Sequence, residues 1–220
     1  CYIRLFYGIG DGKEKTIKSV VAHEIHHCYF LENAFHNKPR KAIHAWLVEG
    51  LADFFMDFVY PNFNEEWVSA KLYDLDKPLT GQDEPYSTNI FFQHLSNSGV
   101  SMSMIQLLLN DLADMVTLKD LQKKLKTFPD MANIFHKFAA DFLLGVIKDT
   151  SGANIPVSVP APDLNFTLKA NENNLIEYQV QPFGVTTMRI KTPPNGKYTF
   201  KIDPAYYQAG FRISIKRQTM

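Results

Sequence analysis

The segment VVAHEIHHCYF, residues 20–30, sets His23, Glu24, His26 and His27 into five positions of an otherwise apolar run. Apolar residues at three- and four-residue spacing predict a helix here. On a helix, residues four apart share a face one turn above the other, so His23 and His27 project together with Glu24 beside them. Two imidazoles so placed can hold a zinc ion, and the adjacent carboxylate can reach a water in the metal's open position. His-Glu-x-x-His is therefore a metal-site spacing with a mechanism. The plain alternative is a helix that happens to carry polar residues.

A catalytic zinc needs a third protein ligand. The metzincin arrangement places a glycine and a further histidine after the second histidine; Phe30 and Asn33 occupy those positions, which excludes it. A glutamate on the next helix is the other common solution, and HAWLVEGLADFF supplies Glu49. Between His27 and Glu49 lie 21 residues (49 − 27 − 1), enough to end one helix, turn through Pro39 and return antiparallel. Asp53, one turn beyond Glu49, is placed to accept the second ring N–H of His23 or His27 and so fix the tautomer. A solvated acidic face is the competing reading. Trp46, Leu47, Leu51, Phe54 and Phe55 argue against it, because they bury this helix and two buried acids without partners would be costly.

Composition limits the function classes. The chain has 220 residues, 45% hydrophobic and 13% aromatic, which suffices for a real core. Its 23 basic and 23 acidic residues balance, so the basic surplus of a nucleic-acid or anionic-membrane binder is missing. No apolar run approaches the roughly 20 residues that span a bilayer. Cys1 and Cys28 do not make a disulfide framework. CYIRLFYGIG reads as a strand, so the chain is expected to begin mid-domain rather than at a lipoprotein cysteine.

The periodicity changes near residue 150. Helical spacing runs through KTIKSVVAHEIHHCYFLENAF, KAIHAWLVEGLADFFMDFVY, TNIFFQHLSN, SMSMIQLLLNDLADM, LKDLQKKLKTF and DMANIFHKFAADFLLGVI, with loop signals between them. DTSGANIPVSVPAPD then has linker composition. Beyond it NFTLKA, LIEYQVQP, VTTMRIKT, GKYTFKID and FRISIKR alternate as strands, with PPNG as a hairpin turn. The expectation is an α+β chain. A mainly helical catalytic domain spans 1–148, a linker 149–163, and a small sandwich-like all-β domain 164–220.

HEIHH followed by WLVEGLADF resembles the gluzincin metallopeptidases. Trp-Leu before Glu-Gly is similar to the corresponding stretch of aminopeptidase N relatives, and the Glu49/Asp53 spacing is similar to the thermolysin type. The resemblance covers about residues 1–145. It implies Zn2+ held by His23, His27 and Glu49, with Glu24 as general base and a peptide or protein as substrate. EPYSTNIFFQHL is similar to the segment that carries an oxyanion-stabilising tyrosine, which points to Tyr86. The chain has no Gly-x-Met-Glu-Asn stretch, so the aminopeptidase subtype is not implied.

In the expected mechanism, zinc lowers the pKa of a water toward about 7. Glu24 takes that water's proton and passes it to the leaving amine. Tyr86 stabilises the oxyanion, and the strand around Tyr7 and Gly8 pairs with an extended substrate. A catalytically silent scaffold and a zinc hydrolase of a non-peptide substrate stay open. His26 and Cys28 read as packing residues off the metal face, and His44 lies too far round its helix to join it. His36, His94 and His136 lack partners at ligand spacing. KDLQKKLK is a solvated helix face. A zinc hydrolase with a β module leans toward an extracellular or cell-envelope setting by analogy. Nothing in the residues sets the oligomeric state.

Overall fold

The computed structural model describes residues 14–35, 41–159, 161, 164–168, 180 and 182–192. Helix α1, Glu14–Ala34, carries Glu14 in its first turn, where a negative charge suits the helix dipole. A 3-10 turn at Ala42–His44 leads into α2, Ala45–Val59. Short α3, Trp67–Ala70, and 3-10 turns at Leu79–Gly81 and Pro85–Thr88 precede α4, Asn89–Asn97. Then come α5, Met102–Ala113, α6, Leu118–Lys126, and α7, Met131–Leu144. Side chains at two N-caps start α5 and α6: Ser101 accepts from Met104 N–H and Thr117 from Asp120 N–H. Gly145, at φ 63°, ends α7 in the left-handed conformation that glycine adopts without strain.

Helix α2 is the centre of the described residues. Every residue from Trp46 to Phe54 is buried, so this helix is enclosed on all sides rather than along one stripe. Helix α1, the Pro85–Thr88 turn and α4 pack around it. Gly50 permits the closest of these approaches. A Cβ there would stand 2.0 Å from Thr88 Oγ1 and 3.1 Å from the Thr88 carbonyl carbon. Thr88 Oγ1 in turn donates to the Trp46 carbonyl, which seats the turn on α2. Behind α4, the rings of Tyr73, Phe91, Phe135, Phe138 and Phe142 form a cluster of edge-to-face and tilted contacts joining α4 to α7. In α6 Leu121 and Leu125 face the core, while Lys123, Lys124 and Lys126 occupy the last turn.

The described residues are mainly helical with one small sheet, an α+β arrangement. Strands β1, Leu164–Thr167, and β2, Met188–Lys191, pair in parallel, with Leu164 opposite Met188 and Thr167 opposite Lys191. The hairpin-linked sandwich expected from alternation is not shown. Period-two alternation marks a strand but sets neither its partner nor its direction. The PPNG turn and the stretches GKYTFKID and FRISIKR lie outside the described residues, as do 171–179.

Residues 148–155 form a pinned turn despite their linker composition. Lys148 bridges Asn154, Asp149 N–H donates to the Ala153 carbonyl at 2.8 Å, and Ile155 joins the core. Farther on, Leu79 N–H donates to the Phe183 carbonyl at 2.9 Å and Val185 N–H to the Leu75 carbonyl at 3.0 Å. Phe183 meets the Phe135 ring edge to face at 5.5 Å. This segment too lies against the helical body. No helix among the described residues is long and apolar enough to cross a membrane.

Candidate metal centre

Helix α2 lies alongside α1. Glu49 Oε2 stands 3.0 Å from His27 Nε2 and 3.4 Å from His23 Nε2. One ligand atom from each of the three lies within 4.8 Å of the other two. The imidazoles meet edge to face, 4.5 Å apart and 88° between planes, so both rings turn a nitrogen to the same carboxylate oxygen.

Asp53 orients the first ring. Its Oδ1 lies 2.9 Å from His23 Nδ1. With that N–H given to Asp53, the neutral ring presents a bare Nε2 lone pair to a carboxylate oxygen. Two acceptors then face each other, which is stable only with a proton or a metal cation between them. Burial opposes charging His23, but the hydrogen bonds and charges of Asp53 and Glu49 outweigh it and push its pKa up to about 9. Two imidazoles and a carboxylate form a donor set that suits zinc, so the residues fit the metal.

Behind Asp53 is a further layer that the sequence did not reveal. Ser69 Oγ donates to Asp53 Oδ2 at 2.7 Å and also lies 2.9 Å from the Glu66 carbonyl. Asn89 Nδ2 donates to Ser69 Oγ and to the Glu66 carbonyl, both at 3.0 Å. Ser69 sits on the four-residue α3 and Asn89 at the start of α4, and neither is at a recognisable spacing from the histidines. Only the folded chain brings them to the acid.

Glu24 is half-buried on α1, and no hydrogen bond or ion pair among the described residues holds its carboxylate. The Tyr86 ring lies 5.7 Å from that of His23, tilted by 30°. Burial raises its phenol, and the charges of Glu49, Asp53 and Glu84 with a hydrogen bond to Glu49 raise it further. Tyr7 and Gly8 lie outside the described residues, as does His36.

His26, His44 and His94 pack into the helical body. His26 is buried against Phe30 and Phe55, its ring stacked 4.0 Å from Phe30. Burial, then the neighbouring His27 and His23, lower its pKa to about 3. His44 is buried with Nε2 3.0 Å from the Met115 carbonyl, and its Nδ1 accepts from Lys41 N–H at 3.3 Å. His94 faces Asp141 at 3.5 Å. Cys28 differs from expectation: it is disulfide-bonded rather than simply packed, so its sulfur is not available as a ligand.

Residues 1–78 match a family described as a predicted Zn-dependent protease, DUF2268. The matched stretch contains His23, Glu24, His27, Glu49 and Asp53 and ends before Tyr86. No curated protein and no solved structure matches the chain. The match supports a zinc-dependent protease in general terms, and His23, His27 and Glu49 form a group able to bind such a metal.

Proposed function

We propose that the chain is a gluzincin-type zinc peptidase in which His23, His27 and Glu49 hold the metal and Glu24 is the general base. The convergence of both α1 Nε2 atoms on one oxygen of Glu49 from α2 carries this reading. Zinc, when bound, supplies a Lewis acid for the scissile carbonyl and lowers the pKa of water toward about 7. Glu24, with no competing partner among the described residues, accepts a proton from the attacking water and delivers it to the leaving amine. The Tyr86 phenol stays protonated beside Glu49 and donates to the oxyanion that develops on the carbonyl. Asp53, steadied by Ser69, holds His23 in the tautomer whose Nε2 is free to ligate.

The test is elemental analysis of untagged protein purified without added metal, paired with cleavage of a peptide library. About one zinc per chain is expected, together with cleavage that a chelator abolishes and zinc restores. Protein that neither contains nor takes up zinc would refute the reading. Zinc-loaded protein that cleaves no peptide would leave a metal site without the peptidase.

A further inference from the structure

Helix α2 carries a third acid on the stripe of Glu49 and Asp53. Asp57 lies one turn past Asp53, and Glu66 and Asp149 converge on it from the loop before α3 and the pinned turn after α7. The three are 1%, 4% and 3% exposed, and one carboxylate oxygen of each lies within 4.8 Å of the others. Two oxygens on opposite sides of a calcium ion at about 2.4 Å are about 4.8 Å apart, so the cluster has the span of one coordination sphere.

The hydrogen bonding shows which oxygens are provided for. Thr150 N–H donates to Asp57 Oδ2 at 2.9 Å, while Ser151 Oγ and Ala153 N–H donate to Asp149 Oδ1 at 2.7 and 2.8 Å. These bonds fix two carboxylates by one oxygen each. Asp57 Oδ1, Asp149 Oδ2 and Glu66 Oε1 are buried and receive no hydrogen bond from any described residue. Nor does any described Lys, Arg or His side chain pair with the three acids. Buried carboxylates left this way repel one another and lose their hydration. The neutral oxygens nearby point the same way. Asn89 is 2% exposed, and its Nδ2 is committed to the Glu66 carbonyl and Ser69. Its Oδ1, like that of Asn64 two residues before Glu66, is buried without a donor.

We propose that Asp57, Glu66 and Asp149 form a second metal site, for a hard divalent cation of the calcium kind, which fastens the turn after α7 to the end of α2. An all-oxygen donor set with three negative charges suits calcium and disfavours zinc. Magnesium keeps several waters in a near-ideal octahedron, for which carboxylates this deeply buried leave little room. A cavity of about 380 Å³ borders the cluster at Asp149, its lining including Lys148 and Thr150. The site is separate from the His23–His27–Glu49 centre and does not depend on peptidase activity.

The experiment is thermal unfolding of the full, zinc-loaded chain, freed of calcium by dialysis and then titrated with CaCl2, with MgCl2 as the control at matched ionic strength. At a hundredfold excess of calcium over its Kd, Tm is expected to rise by roughly 5 °C or more. Glu66→Gln, which removes a charge at constant shape, should unfold at or above the wild-type Tm without calcium and lose the calcium response. Asp57→Asn should behave likewise. A wild-type Tm that ignores calcium would overturn the proposal, as would a full calcium response in both variants. An equal response to magnesium would overturn the assignment to calcium. A raised Tm of Glu66→Gln beside a calcium-insensitive wild type would assign the cluster to shared protons, and the cation would be dismissed.

Discussion

Glu24 and Asp53 make separable contributions, and substitution distinguishes them. Glu24→Gln keeps the shape of the side chain and leaves the ligands untouched. Zinc content should therefore stay at the wild-type level while kcat falls about 10²–10⁴-fold; unchanged turnover would remove Glu24 from the reaction. Asp53→Asn changes the partner of His23 Nδ1 from an obligate acceptor to an amide that can also donate. The ring is then no longer held with Nε2 free, and zinc affinity should drop about 10–100-fold in competition with a chelator. Affinity equal to wild type would mean that the 2.9 Å contact orients nothing. The grouping of His23, His27, Glu49 and Asp53 was legible in sequence because helical spacing sets the two histidines on one face of α1 and the two acids on one face of α2. Asp53 proved to serve His23 rather than His27, whose Nδ1 is buried with no partner among the described residues. Ser69 and Asn89 were not legible, since the loops that bring them to Asp53 have no periodicity to read.

At the scale of elements, the tight seat of the Pro85–Thr88 turn on α2 is the feature that mutation can probe most sharply. Gly50→Ala places a Cβ 2.0 Å from Thr88 Oγ1 and 3.1 Å from both the Thr88 carbonyl carbon and Phe92 Cε2. Backbone cannot yield as a flexible side chain can, so the turn must move away. A loss of about 1–3 kcal/mol is expected in denaturant unfolding, with reduced kcat if Tyr86, which rides on that turn, acts as proposed. Adding Thr88→Ala removes the worst contact, so the double variant should lose less than the sum of the singles. Strict additivity would show that the two positions do not collide. The helices were predictable because each presents a regular apolar face, and α1, α2 and α4–α7 fall within the periodic segments. The parallel pairing of β1 and β2 was not, because strand alternation contains no information on partner or direction. Asp149 and Ile155 were hidden for a related reason. Ser, Gly and Pro mark both flexible linkers and tight turns, and only the contacts of Ile155 with the core distinguish the two.

Over the whole molecule, packing has left a histidine where it cannot easily charge. His94 is 2% exposed, between the Phe138 ring at 5.6 Å and the Ser98 hydroxyl at 3.3 Å. Burial lowers its pKa to about 4; Asp141 opposes this and Lys137 adds to it. In the unfolded chain the same ring titrates near 6.5. Between those two values the unfolded state takes a proton that the native state refuses. Stability from this group is therefore complete above pH 6.5 and falls as pH drops toward 4, by up to about 3 kcal/mol. Glu66 acts in the opposite sense. Burial, then the charge of Asp57, hold it up to about 8, so without a bound cation its native form binds the extra proton and stability falls as pH rises from 4.5 toward 8. Comparing wild type with His94→Gln in one buffer cancels that second contribution and isolates the first. Urea unfolding at pH 7 and pH 4.5 should show wild type losing about 2–3 kcal/mol more than the variant over this interval. Equal losses would mean that His94 is hydrated or paired well enough to titrate normally, and that the α4–α7 contact is looser than its ring packing implies.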